Sequence, residues 1–171
     1  MLKNLPIKKK LLLPTLLTVA TASTIITAAV SAQELKFDGV VNVNHIRNDS
    51  ITFEKVDGGS LNVKVESIKG NVNLFKVDGG SSNIRIIAKE DVRFAQKIDG
   101  GSKVYVEART GNIFFGQKID GGSEVVLRAP NGKITLFQKI DGGSTVRWCA
   151  KQLDAGSQGI RGSSKVIKDC R

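Results

Sequence analysis

A six-residue motif recurs along this chain at a fixed interval, and it constrains the fold more than any other feature. The motif is Lys, then Val or Ile, then Asp-Gly-Gly-Ser. Its aspartates stand 21 residues apart, at Asp57, Asp78, Asp99, Asp120 and Asp141. Self-similarity at a fixed period is typical of repeat architectures, in which each unit packs on its neighbours. We therefore predict a stack of equivalent units.

Each unit contains two short segments in which apolar residues recur at every second position. In the unit 120–140, Val125, Leu127 and Ala129 form the first such segment, and Ile134 and Leu136 form the second. A period of two predicts β-strands. Turn-forming residues separate the two segments, as in the Pro-Asn-Gly-Lys sequence of 130–133. A unit is thus predicted to be strand, turn, strand, bend and Asp-Gly-Gly turn.

Two architectures fit this pattern, an antiparallel meander of hairpins and a parallel β-solenoid. Hairpin loops change length independently, whereas a solenoid coil must return to its starting point one strand spacing along the axis. The inner turn spans four steps from Ala88 to Val92 but five from Ala108 to Ile113, and yet the period stays at 21 residues. A compensated shift of this kind favours the solenoid.

The predicted fold is therefore all-β, a single-domain parallel β-solenoid (β-helix) of about six or seven coils with 21 residues each. Residues 37–56 are expected to form a degenerate cap coil that opens with Phe37-Asp38-Gly39, and 57–140 the regular coils. Residues 141–171 are expected to form divergent coils that end in a strand from Lys165 to Cys170. The side chains predicted to point inward are Val104, Val106, Ile113, Phe115, Ile119, Val125, Leu127, Ile134, Leu136 and Ile140, with Trp148 continuing the Leu127 column.

Residues 1–32 have the features of a secretory signal peptide. A lysine-rich start is followed by an uncharged apolar run over 11–30, and small residues precede Gln33. The alternative is an uncleaved membrane anchor, because the apolar run approaches spanning length, but Pro14 argues against it. We expect a mature domain over 33–171 that is secreted, periplasmic or on the cell surface, with no integral membrane segment after cleavage.

The charge balance argues against nucleic-acid binding. The whole chain has 26 basic and 16 acidic residues, for a net charge of +10. Four of the lysines lie in the predicted signal peptide, so the domain is left with 22 basic residues against 16 acidic ones. The basic residues are scattered and form no run with interleaved aromatic residues, which is the usual footprint of a nucleic-acid surface.

The column of aspartates is the strongest candidate for a functional site, and it also has a structural explanation. An Asp before two glycines can accept hydrogen bonds from the backbone of its own turn, while the glycines supply positive φ. The functional alternative is a module that binds Ca²⁺ or carbohydrate through stacked Lys, Asp and Gln columns, the last at Gln96, Gln117 and Gln138. Secreted Ca²⁺-binding β-rolls follow a nonapeptide rhythm that this chain lacks. The Lys two residues before each Asp is expected to neutralise it.

No catalytic pattern is present, so we predict a protein that is not an enzyme and needs no cofactor. The single histidine, His45, has no Cys or His at metal-ligand spacing, and we expect it to be structural. Enzymes with parallel β-helices cleave polysaccharides with residues on long loops, but no loop departs from the repeat between 57 and 150. The threonines share no column, which argues against an ice-binding array.

The only two cysteines, Cys149 and Cys170, are 21 residues apart and so one coil apart. In an exported protein an even pair of thiols favours a disulfide, and neighbouring coils bring Cα atoms within its range. The motif at 160–164 is displaced by one residue, which could turn one side chain to the opposite face. The alternative is that the thiols stay free or pair between molecules.

Units rich in Asp-Gly-Gly turns behind a signal peptide resemble bacterial exported β-solenoids of the adhesin type, including the head GIN domain proteins. The resemblance covers residues 37–170 and implies a cell-surface or matrix role with no catalytic residues. The expected function is thus that of a secreted structural, adhesive or self-associating protein. The expected partners are further copies of the chain or a cell-surface polysaccharide.

Overall fold

The computed structural model describes residues 34–37, 42–57, 62–78, 80, 82–156 and 159–171, and of 34–37 and 54–57 only the backbone. The predicted signal peptide and the predicted opening turn at Asp38-Gly39 lie outside these residues. Within them, all regular secondary structure is β-strand.

Twelve strands follow one another along the described residues. Their bounds are β1 Glu34–Phe37, β2 Asn42–Arg47, β3 Ile51–Asp57, β4 Asn62–Ser67, β5 Val72–Asp78, β6 Asn83–Ala88, β7 Val92–Phe94, β8 Lys103–Ala108, β9 Ile113–Phe115, β10 Glu124–Leu136, β11 Thr145–Asp154 and β12 Lys165–Lys168.

Every strand pairs in parallel with the equivalent strand of the next coil, so the chain is a parallel β-solenoid as predicted. The first sheet contains β2, β4, β6, β8, the beginnings of β10 and β11, and β12. The second sheet contains β1, β3, β5, β7, β9 and the ends of β10 and β11. On the third side of the coil, isolated parallel β-bridges join Val77, Ile98, Ile119, Ile140 and Ile160 in sequence. These pairings exclude the antiparallel meander.

The coil count was predicted slightly too high, because the described residues form about five turns of about 21 residues and not six or seven. The coils at the two ends are incomplete. Strand β1 precedes the described first sheet, and no second-sheet strand follows β12 in the described residues. Strand β1 itself was not predicted.

The constant period results from opposite changes at two corners of the coil. The corner from Asp78 to Asn83 spans five steps, and the next one, from Asp99 to Lys103, spans four. The corner after the first-sheet strand changes in the other direction, with four steps over 88–92 and five over 108–113. Because the paired residues must return to register, one extra residue at a corner requires one fewer elsewhere in the coil.

The interior is a set of stacked apolar columns, and the prediction of its members is confirmed. All ten side chains predicted to point inward are at most 2% exposed. Trp148 pairs in register with Leu127 and is partly buried against the core. The rings of Phe94 and Phe115, one coil apart, lie 4.3 Å between centroids and 7° from parallel. Coil-on-coil pairing therefore brings like residues into contact.

Two predicted boundaries were wrong. Strand β10 continues through the turn predicted at 130–133, with an irregular register between Ala129 and Lys133. The chain still changes sheet here, because Ala129 pairs in the first sheet and Ile134 in the second, so the Pro-Asn-Gly turn is a corner inside one continuous strand. The last strand ends at Lys168 and not at Cys170.

A disulfide joins Cys149 to Cys170, as predicted, with 4.9 Å between the Cα atoms. The one-residue displacement is also real, because Thr145 pairs with Lys165, 20 residues on. A continued strand would place Cys170 beside Ala150. The chain instead leaves the strand after Lys168, and this frees Cys170 to reach Cys149.

In the part of the chain that the structure describes, no helix is long and apolar enough to cross a membrane.

Candidate functional site: the Lys–Asp edge

The Asp-Gly-Gly turns of successive coils form one edge of the solenoid. The Lys–Asp edge, as we call it, consists of Lys76, Lys97, Lys118 and Lys139 with Asp78, Asp99, Asp120 and Asp141. Asp57, the first of the predicted column, pairs through its backbone with Asp78, and its side chain lies outside the described residues.

Three of the carboxylates, those of Asp99, Asp120 and Asp141, fix their own turns, as the structural explanation of the repeat predicted. The backbone N–H groups of Gly100, Gly121 and Gly142 donate to Oδ1 of the preceding Asp at 2.8–2.9 Å. These glycines have φ between 67° and 82°, and so do the glycines that follow them. Positive φ of this kind favours glycine, which explains why Gly-Gly recurs.

The serine that completes the motif has a role that the sequence analysis missed. The Ser123 hydroxyl donates to the carbonyl of Asp120 at 2.8 Å, and the Ser123 N–H donates to Oγ of Ser144 at 3.2 Å. The Ser144 N–H bonds Ser164 in the same way. Ser123 and Ser144 are fully buried. The sequence signal for this role was the Ser that follows every Gly-Gly. Its recurrence indicates a ladder of serine hydrogen bonds between successive coils.

Each lysine pairs with the aspartate two residues on, as expected for side chains on the same side of a strand. The Nζ of Lys139 lies 2.6 Å from Oδ2 of Asp141, and the other three lysines contact their aspartates equally directly. The Lys118 and Lys139 ammonium groups, followed by the glycine N–H groups, hold the pKa of Asp120 and Asp141 below its usual value. The hydrogen bond to Asp99 raises the pKa of Lys97.

This geometry limits what the edge can bind. In Asp99, Asp120 and Asp141, Oδ1 is held by a glycine N–H and Oδ2 by a lysine. A Ca²⁺ ion there would have to displace both partners. The described residues contain no group of three or more His, Cys, Asp or Glu side chains that could hold a metal ion.

A second ladder of side-chain oxygens lies at the corner before the second sheet, and the sequence analysis did not find it. Oδ1 of Asn71 accepts from the N–H of Asp91, Oδ1 of Asp91 from the N–H of Asn112, and Oδ1 of Asn112 from the N–H of Lys133, each at 2.9 Å. Ser50 begins the series by accepting from the N–H of Asn71. The available signal was a short side chain with an oxygen acceptor directly before β3, β5, β7 and β9.

His45 lies in the column of Val65 and Ile86. Its side chain is 7% exposed, and Nε2 has no hydrogen-bond partner within the described part of the chain. Burial, and then the positive charge of Arg47, lower the pKa of His45. Its ring meets that of Phe53 edge to face, with centroids 6.3 Å apart. These contacts are those of a core residue.

The predicted glutamine column lies beside the edge, where Gln96, Gln117 and Gln138 are exposed. The N–H of Gln96 donates to the carbonyl of Phe75 at 2.6 Å and so belongs to the ladder between coils. These amides remain accessible at the surface.

Comparison with known proteins gave no match: no protein-family model fits the chain, and neither the curated proteins nor the solved structures include a significantly similar one.

Proposed function

We propose that this chain is an exported, non-catalytic structural protein of the cell surface or matrix, an adhesin-type solenoid whose regular body presents fixed surfaces to partners. The observation that carries the proposal is the internal pairing of the Lys–Asp edge. The most regular charged residues of the repeat bind one another and their own turns, so their regularity serves the rigidity of the body.

The disulfide and the sequence of 1–32 support the proposed compartment. Disulfides persist in oxidising compartments and are rare in reducing ones. The Cys149–Cys170 bond therefore supports export, in agreement with the signal-like segment.

The charges on the last described strand, β12, support a surface role more than growth into fibres. An open strand edge is a template for pairing with another chain, and charged residues, lysine above all, are the common means of blocking it. The terminal strand β12 has Lys165 and Lys168, and Asp169 and Arg171 follow it. End-to-end stacking at this end would bring these charges together.

The experiment is expression of the full chain in an exporting bacterial host, followed by fractionation, N-terminal sequencing and thiol labelling. We expect a chain that begins near Gln33, has no labelled thiols, and occurs outside the cytoplasm. The purified protein should adhere to the producing cells or their matrix polysaccharide without depolymerising it. A full-length cytoplasmic protein with two free thiols, or release of reducing sugar ends from the polysaccharide, would overturn the proposal.

Calcium distinguishes this role from that of a Ca²⁺-dependent module. A ligand that binds only the folded state raises the melting temperature. Because the carboxylates of the edge are already engaged, we expect saturating Ca²⁺ to leave the melting temperature unchanged relative to Mg²⁺. A rise specific to Ca²⁺ would assign the Asp column to metal binding.

A further inference from the structure

A groove of about 350 Å³ lies on the outer face of the first sheet, away from the Lys–Asp edge. It crosses three coils, on β6, β8 and β10. The side chains that give it its chemistry are Asn83, Arg85, Lys103, Tyr105, Glu124 and Val126.

Arg85 is held in place without being neutralised. Its guanidinium carbon lies 4.2 Å from the centroid of the Tyr105 ring. The ring is itself fixed, because the Tyr105 hydroxyl donates to Oε2 of Glu107 at 2.8 Å. Arg85 is exposed and has no carboxylate partner among the described residues. A guanidinium stacked on an aromatic ring keeps its N–H edges free, and these match a carboxylate with two hydrogen bonds.

Lys103 supplies a second cation on the neighbouring coil. It pairs in register with Asn83, two residues before Arg85, so the Cα atoms of Arg85 and Lys103 are about 8 Å apart by strand spacing and rise. Its only ion pair in the described chain is with Glu124 at 3.9 Å, where both side chains are more than two-thirds exposed. Such a pair is weak and yields readily to another anion.

The remaining walls suit a sugar ring. Val126 pairs in register with Tyr105 and continues the groove with an apolar surface, on which the C–H face of a pyranose can pack. Asn83 and Glu124 at the rim offer amide and carboxylate groups to hydroxyls. Arg147, next in the column after Val126, is paired with Asp169 at 3.6 Å and does not line the groove.

We propose that this groove binds a uronic-acid unit of an acidic polysaccharide. Arg85 binds the carboxylate, Lys103 stabilises its charge, Val126 and the edge of Tyr105 contact the ring, and Asn83 and Glu124 bind hydroxyls. The excess of basic over acidic residues in 33–171, 22 against 16, favours approach of such a polyanion. The site lies apart from the Lys–Asp edge, and its argument does not rest on the compartment or on the role proposed above.

The second sheet provides a matched control. The Arg93 guanidinium carbon lies 5.3 Å from the centroid of the Phe114 ring, a similar stacked pair one sheet away. Arg93, however, is neutralised by Asp91, with 2.5 Å from Nη2 to Oδ2. Replacement of Arg93 by Gln removes the same charge from the protein without touching the groove.

The test is isothermal titration calorimetry of the purified protein with trigalacturonic acid and with its neutral methyl ester, at two salt concentrations. We expect the acid to bind and the ester to bind at least about tenfold more weakly, since the charge-assisted bidentate bond is lost. Arg85→Gln should cause a similar loss for the acid, and Arg93→Gln should leave its affinity unchanged. Melting curves establish that each variant is folded, and Lys103→Gln replaces Arg85→Gln if that variant is not.

Three results would overturn the site. Equal loss in the Arg85→Gln and Arg93→Gln variants would mean binding to net charge alone. Equal affinity for acid and ester would remove the role of the carboxylate, and absence of binding by the folded wild-type protein would remove the site itself. None of these results bears on export or processing, and adhesion to the producing cells is measured separately, so failure of the site can be distinguished from failure of the function proposed above.

Discussion

Single polar residues in this chain are stabilised according to whether the next coil supplies a hydrogen-bond partner. Asn112 is bonded on both sides, to Asp91 and to the N–H of Lys133. Ser144 is bonded likewise, since its Oγ accepts from Ser123 and its N–H donates to Ser164. His45 stands in the first described coil of the first sheet, and its Nε2 has no such partner among the described residues. A buried polar atom without a partner costs about 1–3 kcal/mol.

His45→Ile should stabilise the protein and reduce its loss of stability in acid. Ile86 occupies the same column two coils on, so the side chain fits the site. Because the pKa of His45 is lowered from 6.5, the unfolded state binds the proton first. The free energy of unfolding is therefore unaffected by His45 protonation above about pH 6.5. It decreases as the pH falls from there through the lower folded-state pKa of His45. Melting temperatures measured from about pH 8 down to about pH 5 test this.

His45 is the only histidine in the chain, so no second imidazole confounds the comparison. Parallel pH profiles of the wild-type protein and the variant over this range would show that His45 is as easily protonated in the folded state as in the unfolded one.

Gly121→Val should destabilise the protein more than Gly122→Val does. Both glycines have φ of +73°, so a β-branched residue at either position costs about 1–3 kcal/mol in backbone strain. At Gly121 an added Cβ would also lie 2.5 Å from Oδ1 of Asp99 and from the N–H nitrogen of Gly100. At Gly122 the nearest such contact is an ordinary 3.7 Å. Urea unfolding of the two variants measures the difference, and equal midpoints would contradict the close approach of the coils.

At the scale of strands, stability comes from contact between equivalent positions of successive coils. Val104, Val125 and Val146 follow one another in register in the first sheet, and each is at most 2% exposed. An inward side chain therefore packs against its counterparts above and below as well as across the interior. The outward side chains of the same strands have neighbours above and below but no contacts across the interior.

Leu127→Ala should cost about 2–5 kcal/mol, because it leaves a cavity in a column that cannot collapse without breaking the register. Leu127 is fully buried between Val106 and Trp148. The neighbouring Val126→Ala is the control, since Val126 points outward and is only partly buried, and it should cost less than about 1 kcal/mol. Similar unfolding free energies for the two variants would mean that the inward and outward faces have been assigned wrongly.

At the scale of the whole molecule, the two ends of the described solenoid differ from its middle because, among the described residues, each lacks a neighbour on one side. The last coil contributes only β12 to the first sheet, and its Val166 is only partly buried. The disulfide at this end compensates for the short ladder, since it joins the final segment to the coil before it.

Reduction of the Cys149–Cys170 bond should lower stability by about 3 kcal/mol, the loop-closure value for a separation of 21 residues. The double variant Cys149→Ser, Cys170→Ser should show the same loss and no further response to reductant. Thermal unfolding with and without reductant measures both. Non-reducing mass spectrometry of the wild-type protein should show one intramolecular disulfide. Two free thiols in the folded monomer would contradict this disulfide and its stabilising role.

The sequence by itself determined the period, the strand pattern, the inward columns and the parallel stacking. These are all local or periodic properties: alternation assigns a face, and an unchanging 21-residue interval requires coils of equal length. The roles of Asp99, Gly100 and Lys97 also followed from their neighbours in the chain, because their contacts are made within one turn.

Only the tertiary structure decided which atoms meet across coils. The Ser123–Ser144 and Asp91–Asn112 ladders, the continuation of β10 through the turn predicted at 130–133, and the exit of the chain at Lys168 that lets Cys170 reach Cys149 all depend on residues about 20 positions apart. The groove at Arg85 is of the same kind, since Arg85, Tyr105 and Val126 belong to three different coils. Local sequence sets the direction of each side chain, but its partner is set by the register between coils, which is fixed only when the whole solenoid closes.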